Sequence, residues 1–244
     1  MIEFFNIFYL FALISIIFSF PFNNIFLKKK FLLTILNLFE IYSLNIIFIL
    51  TILFLISFFS TNIGLCFLIL FVFSLLNIFF FDWGIFKKDF YLVIFFVLFY
   101  IVYSMEISTY PYLEWDSAVN WIFKTINFKN NFSFKDLDNV PGYIGYPHLG
   151  SYLWAFFWNV SLIDYEYTGR LSFIFVYLMI FFSLVDKLKV NSISKIFILI
   201  FVISISYDMI LIHGYQEPLM FSLCVIFMIL LEKIDYKNNN YLNY

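Results

Sequence analysis

Long apolar runs, separated by short polar breaks, dominate the chain from its first residues. A helix of about 20 apolar residues crosses the roughly 30 Å hydrocarbon core of a bilayer. The pattern therefore predicts an all-α, polytopic membrane protein with about seven transmembrane helices. The second run is longer than a span needs, so we expect that helix to be tilted or broken. The predicted spans are residues 4–27, 31–58, 62–81, 88–105, 167–185, 196–213 and 217–231.

Composition supports this class of protein. Apolar residues make up 64% of the 244 residues, whereas soluble domains contain about 45–50%. The net charge is −2 and no basic patch is present, so we expect no nucleic-acid partner. The first run is followed by lysines 28–30 and not by a cleavage site, which predicts a retained span and not a signal peptide. Cys66 and Cys224 lie inside apolar runs, and their spacing indicates neither a disulfide framework nor a metal site.

One polar interruption organises the chain, which we interpret as a single transmembrane domain over residues 1–244. Its polar part, residues 106–147, is too long for a simple connection, and loops of this length usually have a function or are disordered. Interleaved aromatic residues argue against disorder. The predicted parts are four N-terminal spans (1–105), an outer loop with interfacial amphipathic helices (106–166), three further spans (167–232) and a polar tail (233–244).

The apolar segment Leu149–Ile163 is too short to cross the bilayer. As a helix its 15 residues would measure roughly 22 Å. Trp154 and Trp158, four residues apart, share a helix face, as tryptophans at membrane interfaces often do. If the segment does not span, ten of the 14 basic residues lie on one side of the membrane; if it spans, six do. Because basic loops favour the cytoplasm, the count favours an interfacial helix and an outer amino terminus.

This topology places the segments EWDSAVNWIFK (114–124) and HGYQEP (213–218) on the same outer face. A polar stripe recurs at helical spacing in and beyond the first segment, formed by Asp116, Asn120, Lys124 and Asn127. It predicts an amphipathic helix on the outer membrane surface with its polar face toward water. The alternative for Asp116 is a helix N-cap, a position that aspartate favours.

Other polar residues carry weaker signals. Glu217 is placed to begin a helix, where its charge would meet the positive end of the helix dipole. Asp208 and Glu40 lie inside predicted spans, where acids usually face a polar cavity; snorkelling to the surface is the alternative for Asp208. His148 begins the interfacial helix, and Glu114 precedes the first outer helix. For both, a solvated interfacial side chain without a role is the alternative.

Three short motifs resemble segments of the GT-C superfamily of integral-membrane glycosyltransferases, which includes protein O-mannosyltransferases and lipid A aminoarabinose transferases. They are Trp-Asp-Ser-x-x-x-Trp-x-x-Lys (115–124), Tyr-Pro-x-Leu (146–149) and Gly-Tyr-x-Glu-Pro (214–218). The likeness covers about residues 100–232. It implies transfer of a sugar from a polyprenyl-phosphate-linked donor to an unknown acceptor on the outer face of a bacterial inner membrane. Full members have more spans, so the resemblance implies an N-terminal portion, with an inactive truncated fragment as the alternative.

The resemblance also suggests roles for individual residues. Asp116 takes the position of the first-loop acid, which makes it the candidate base, and Glu217 takes that of the second-loop acid. Arg170 matches the opening of the span that follows the loop, and with Lys124 it is a candidate for binding the donor phosphate. The remaining candidates for substrate binding are Glu114, His148 and Asp208. Two acidic clusters on one face would also allow a divalent metal ion.

A non-enzymatic membrane protein is the competing hypothesis: a lipid or polysaccharide transporter, or an accessory subunit. A transporter would use acids near the middle of the membrane, such as Glu40 and Asp208. A glycosyltransferase would use acids at the outer surface, and the sequence has more of these: Glu114, Asp116 and Glu217. We therefore favour the glycosyltransferase, with the lipid-linked donor and membrane lipids as its expected partners.

Overall fold

The computed structural model describes residues 2–19, 37–59, 62–78, 90–139, 147–206, 213–214 and 216–241. Every regular element within these ranges is helical, which confirms the all-α prediction for them. The α-helices are α1 (Ile2–Ile17), α2 (Leu38–Ile56), α3 (Ile63–Ile78), α4 (Phe90–Thr109), α5 (Ile122–Lys129), α6 (Leu149–Trp158), α7 (Tyr167–Asp186), α8 (Ser192–Ile205) and α9 (Glu217–Tyr241). A π-helical turn, Ser117–Trp121, leads into α5, and a 3-10 helix, Phe134–Asn139, follows it.

Three of these helices, α2, α4 and α7, are long and apolar enough to cross a membrane. Four shorter apolar stretches, in α1, α3, α8 and the first half of α9, overlap the other predicted spans. The segment predicted not to cross contains the ten-residue α6, which at 1.5 Å per residue is about 15 Å long. The structure therefore supports a membrane protein, and the count of seven spans stays a prediction.

Helix α7 forms the centre of the bundle. It packs against α1, α2, α4, α6, α8 and α9, and most of its side chains are buried. The ring of Phe175 lies 5.1–5.9 Å, between centroids, from the rings of Phe11, Phe18 and Phe96, on two other helices and the turn that follows α1. Tilted and edge-to-face aromatic contacts of this kind add to the free energy gained from burying the rings.

Ion pairs close the end of the bundle where α7 finishes. The Lys195 ammonium donates to Asp186 at 2.8 Å, and Lys187 lies 3.8 Å from Glu40. Glu40 also forms a reciprocal capping box with Asn37, whose side chain accepts a hydrogen bond from the Glu40 amide. The prediction that Glu40 lies within a span beginning at residue 31 is therefore corrected. Because Asn37 caps the helix, α2 begins at Leu38 and Glu40 belongs to its first turn.

At the other end of the bundle, α6 lies inside the protein. Its residues from Gly150 to Phe157 are buried, because α5, α7 and α2 pack around it. The Trp154 indole donates to the Glu166 carbonyl at 2.7 Å. Trp158 is half-buried beneath the ammonium of Lys129, 4.1 Å from the ring centroid. The prediction that both tryptophans lie in the membrane interface is wrong for Trp154, which is a core residue.

The crossing of α6 on α7 requires a glycine at position 169. A Cβ there would overlap the carbonyl oxygen of Trp154 and lie 2.5 Å from its Cδ1 atom. Because both atoms belong to buried structure, the two helices would have to separate. We expect Gly169→Ala to lower the free energy of unfolding by about 1–3 kcal/mol, as overpacking does, measured by thermal unfolding in detergent.

Gly64→Ala, near the start of α3, is the matched control. Its new Cβ would lie 3.2 Å from the Asn62 side chain, which can shift, so we expect a change within about 1 kcal/mol. Equal melting temperatures for the two variants would contradict the close crossing.

Candidate functional site

The structure brings the two acidic segments into contact. The Glu114 amide donates to the His213 carbonyl at 3.3 Å. A Glu114 carboxylate oxygen lies 3.3 Å from Nδ1 of His213. The His213 ring also meets the Tyr112 ring edge to face, with 5.1 Å between centroids. Segments about 100 residues apart in the sequence therefore meet in the structure.

Gly214 allows this close approach. Its φ of +84° is in the left-handed region, which glycine adopts without steric cost. A Cβ at this position would lie 2.9 Å from Cδ2 of Leu113, 3.2 Å from Cη2 of Trp154 and 3.3 Å from Cβ of Ser117. The turn at residues 213–214 thus rests on the first acidic segment and on α6 at the same time.

The helix formed by the first segment buries the middle of its polar stripe inside the protein. Asn120 is 1% exposed and Lys124 is 2% exposed. The opposite face carries Trp115, which is 68% exposed, together with exposed Phe123 and Ile126. The prediction that the polar stripe faces water is therefore wrong for Asn120 and Lys124, whereas Asp116 and Asn127 are half-buried. Where lipid surrounds a helix, its apolar side chains face outward and its polar side chains pack inside.

A π-helical turn shapes the beginning of this helix. Such turns insert one extra residue into the helical repeat and are frequent at functional sites. The carbonyl of Trp121, the last residue of the turn, accepts hydrogen bonds from the hydroxyls of Thr125 at 2.8 Å and Ser151 at 3.2 Å. Because Ser151 belongs to α6, these bonds fasten the turn to that helix.

Asp116 does not cap the helix. Its own backbone is helical, and among the described residues its side chain makes no capping bond. Ala118 instead donates its amide to the Glu114 carbonyl at 2.8 Å, so the helix begins before Asp116. The Asp116 carboxylate accepts a hydrogen bond from the Asn120 amide at 3.2 Å. The capping alternative is therefore not observed, and Asn120 orients the carboxylate.

Lys124 and His148 are the buried basic side chains of the candidate site, and they differ in charge. Burial lowers the pKa of Lys124 to about 8, so the ammonium remains mostly protonated at pH 7. Burial, and secondarily the charge of Lys124, lower the pKa of His148 to about 4. His148 is therefore neutral at pH 7, and its Nε2 atom lies 2.9 Å from the Ser57 hydroxyl.

Aromatic rings surround the His148 imidazole and explain its burial. The rings of Phe54, Phe58 and Phe134 lie with centroids 5.2, 5.5 and 4.1 Å away. His148 is thus a buried side chain that joins the start of α6 to the end of α2, and the alternative of a solvated interfacial histidine does not apply.

Arg170 is fully buried and bound to the protein. Its Nη2 atom donates to the Glu166 carboxylate at 2.6 Å, and Nη1 donates to the Tyr112 carbonyl at 3.0 Å. The guanidinium also lies 5.7 Å from the Trp154 ring centroid. Arg170 therefore fastens the segment that follows α4 to α7, and its expected contact with a donor phosphate stays a prediction.

The other candidates are placed differently. Glu217 begins α9, as expected for a helix-start acid, and it is exposed. Asp208 lies outside the described residues. Within the ranges that the structure describes, no three His, Cys, Asp or Glu side chains converge to hold a metal ion. The divalent metal considered from the sequence has no ligand set there.

Sequence reasoning missed Glu166, Ser57 and Gln216. Glu166 had a signal, because it lies four residues before Arg170 and such pairs meet on one helix face. Ser57 had none, since its contact with His148 joins residues 91 positions apart. Gln216 lies within the second acidic segment, next to Glu217, and the prediction considered only the glutamate.

No family model, curated protein or solved structure matches the chain.

The pKa of His148 makes stability depend on pH. Its folded value of about 4 lies below the ordinary value of 6.5, so the unfolded state binds more protons between these two values. Neutral His148 therefore contributes up to about 3 kcal/mol to the free energy of unfolding. This contribution is fully present above pH 6.5 and is lost as the pH falls toward 4. We expect the melting temperature in detergent to fall over this range.

His148→Gln tests this assignment, because glutamine can still bond the Ser57 hydroxyl but does not titrate. We expect its melting temperature to depend less steeply on pH between 6.5 and 4. His213→Gln replaces the other histidine of the chain and is the matched control. A slope unchanged by His148→Gln would exclude His148 as its source.

Proposed function

We propose that this protein is a GT-C-type glycosyltransferase that moves a sugar from a polyprenyl-phosphate-linked donor to an acceptor on the outer face of the membrane. The observation that carries the proposal is the contact of Glu114 with His213, which joins the two outer acidic segments into one site. The motifs that resemble the superfamily lie in these two segments and at the start of α6.

The proposal includes seven spans with the amino terminus outside. Helix α2 supports this arrangement, because its 19 residues measure about 28 Å, close to the thickness of the hydrocarbon core. Glu40 at its start pairs with Lys187, which the distribution of basic residues assigns to the cytoplasm. Ser57 at its end contacts His148, at the candidate site.

The chemistry matches the groups that the site contains. Transfer breaks the bond between the sugar's anomeric carbon and the phosphate oxygen and forms one to the acceptor oxygen. The acceptor hydroxyl must lose a proton, and Asp116, oriented by Asn120, is the proposed base. The leaving polyprenyl phosphate gains negative charge. Protonated Lys124, two turns along the helix and buried, is the group proposed to stabilise it.

The outward face of the same helix supports a lipid-linked substrate. Exposed Trp115, Phe123 and Ile126 present apolar surface on the side opposite the polar stripe. Such a face lies stably at the boundary between headgroups and acyl chains, which is also the depth of a polyprenyl phosphate. Glu114 and Glu217, from the two segments, are then proposed to bind the acceptor.

A transporter is favoured less by the described residues. It would need an acid deep in the bundle, whereas Glu40 lies in the first turn of α2 and forms part of its cap. The other candidate for that role, Asp208, is outside the described residues.

Thiol labelling tests the topology. In a variant without Cys66 and Cys224, cysteines introduced at Asn139 and Glu217 should both react with a membrane-impermeant thiol reagent from outside. A cysteine at Lys187, in the control variant, should react only after the membrane is opened. If position 217 reacts only from the cytoplasm, the seven-span arrangement is wrong.

Asp116→Asn tests the base. The change keeps an oxygen for Asn120 and affects no capping bond, so we expect little change in melting temperature. Loss of a general base typically lowers the rate 10²–10⁴-fold. The measurement is transfer of radiolabelled sugar from polyprenyl-phosphate donors in membranes that contain the protein.

Asp164→Asn is the matched control for this change. Asp164 is an exposed carboxylate that pairs with Lys129, so its loss should leave transfer intact. Near-normal transfer by Asp116→Asn would remove Asp116 as the base.

A further inference from the structure

Two buried polar side chains beside the turn at residues 213–214 lack hydrogen-bond partners within the described part of the chain. Gln216 is 5% exposed, and neither its amide oxygen nor its amide nitrogen is bonded. Ser117 is fully buried, and its hydroxyl is likewise unbonded. Burying a polar group without a partner is costly, and each case in a native structure calls for an explanation.

The Gln216 amide occupies the space where a side chain at Gly150 would lie. A Cβ at Gly150, in the first turn of α6, would overlap Oε1 of Gln216 and lie 3.1 Å from its Nε2. The end of the side chain is therefore inserted against α6 and is not directed to the surface. Unbonded hydroxyls such as that of Ser222 occur elsewhere in the bundle, but Gln216 places an unbonded donor and an unbonded acceptor together at the site.

We propose that Gln216 and Ser117 form a hydrogen-bonding subsite for the hydroxyl groups of the transferred sugar. The side-chain amide offers two donors and an acceptor, and the serine hydroxyl offers a donor and an acceptor. Neighbouring sugar hydroxyls need both kinds of partner. In the sequence, Gln216 immediately precedes Glu217 and Ser117 immediately follows Asp116. This inference rests on the proposed function, because it requires a donor that carries a sugar.

Gln216→Met tests the subsite, because methionine has nearly the same shape and cannot form these hydrogen bonds. Binding to the purified chain in detergent is measured for three lipids: polyprenyl-phosphate glucose, polyprenyl-phosphate mannose and bare polyprenyl phosphate. We expect binding of at least one glycosylated lipid to weaken about tenfold, with binding of the bare lipid unchanged. The melting temperature should stay equal or rise, because an unbonded buried amide is removed. If this variant does not fold, Gln216→Asn, one methylene shorter, is used with the same expectation for binding.

Two further variants sharpen the test. Gly150→Ala retains the amide but displaces it, so it should weaken binding of the same glycosylated lipid. Ser222→Ala removes an unbonded buried hydroxyl further along α9 and should leave all binding unchanged.

The outcomes separate the two proposals. Unweakened binding of both glycosylated lipids by the Gln216 variant overturns the subsite and leaves the proposed function standing. If the unsubstituted chain binds none of the three lipids, the proposed function fails and the subsite fails with it.

Discussion

The contact of α6 with α7 at Gly169 determines how the candidate site is assembled. Because position 169 has no side chain, the Trp154 backbone lies directly on α7, and the Trp154 indole reaches the Glu166 carbonyl. The turn at Gly214 then rests on the far edge of the same indole. Central helix α7 thereby fixes α6, and α6 fixes both acidic segments. The candidate site is therefore positioned by the central helix of the bundle, although most of its residues lie outside that helix.

The buried ion pair of Arg170 and Glu166 positions neighbouring groups more than it stabilises the fold. Burial raises the pKa of the Glu166 carboxyl, and the neighbouring arginine opposes that shift. Desolvation thus offsets much of the attraction between the two charges, as is common for buried ion pairs. The geometry is nevertheless specific, because the guanidinium also holds the Tyr112 carbonyl. That bond sets where the chain leaves α4 and enters the first acidic segment, so Arg170 contributes to the site by placing Glu114 beside His213.

The sequence predicted the positions of the apolar helices well, because bilayer thickness dictates the length of an apolar run. It could not predict which face of the helix in the first acidic segment packs against the protein. An amphipathic pattern separates two faces, but here the polar face meets protein and the apolar face is exposed, the reverse of a helix on a soluble domain. The same is true of Trp154. Its spacing predicts that it shares a helix face with Trp158, but its burial depends on packing against α7 at Gly169, 15 residues later. The π-helical turn at residues 117–121 left no periodic signal, so Asp116 resembled an N-cap.

The charge states at the site limit what can bind there. Lys124 carries a positive charge in a largely desolvated position, and this charge helps to keep His148 neutral. In such surroundings a bound anion interacts with Lys124 more strongly than it would in water. An anion next to Lys124 would also raise the pKa of both basic groups, because it would offset the burial that lowers them. A neutral ligand would bring about neither effect, so the buried charge of Lys124 favours an anion over a neutral group.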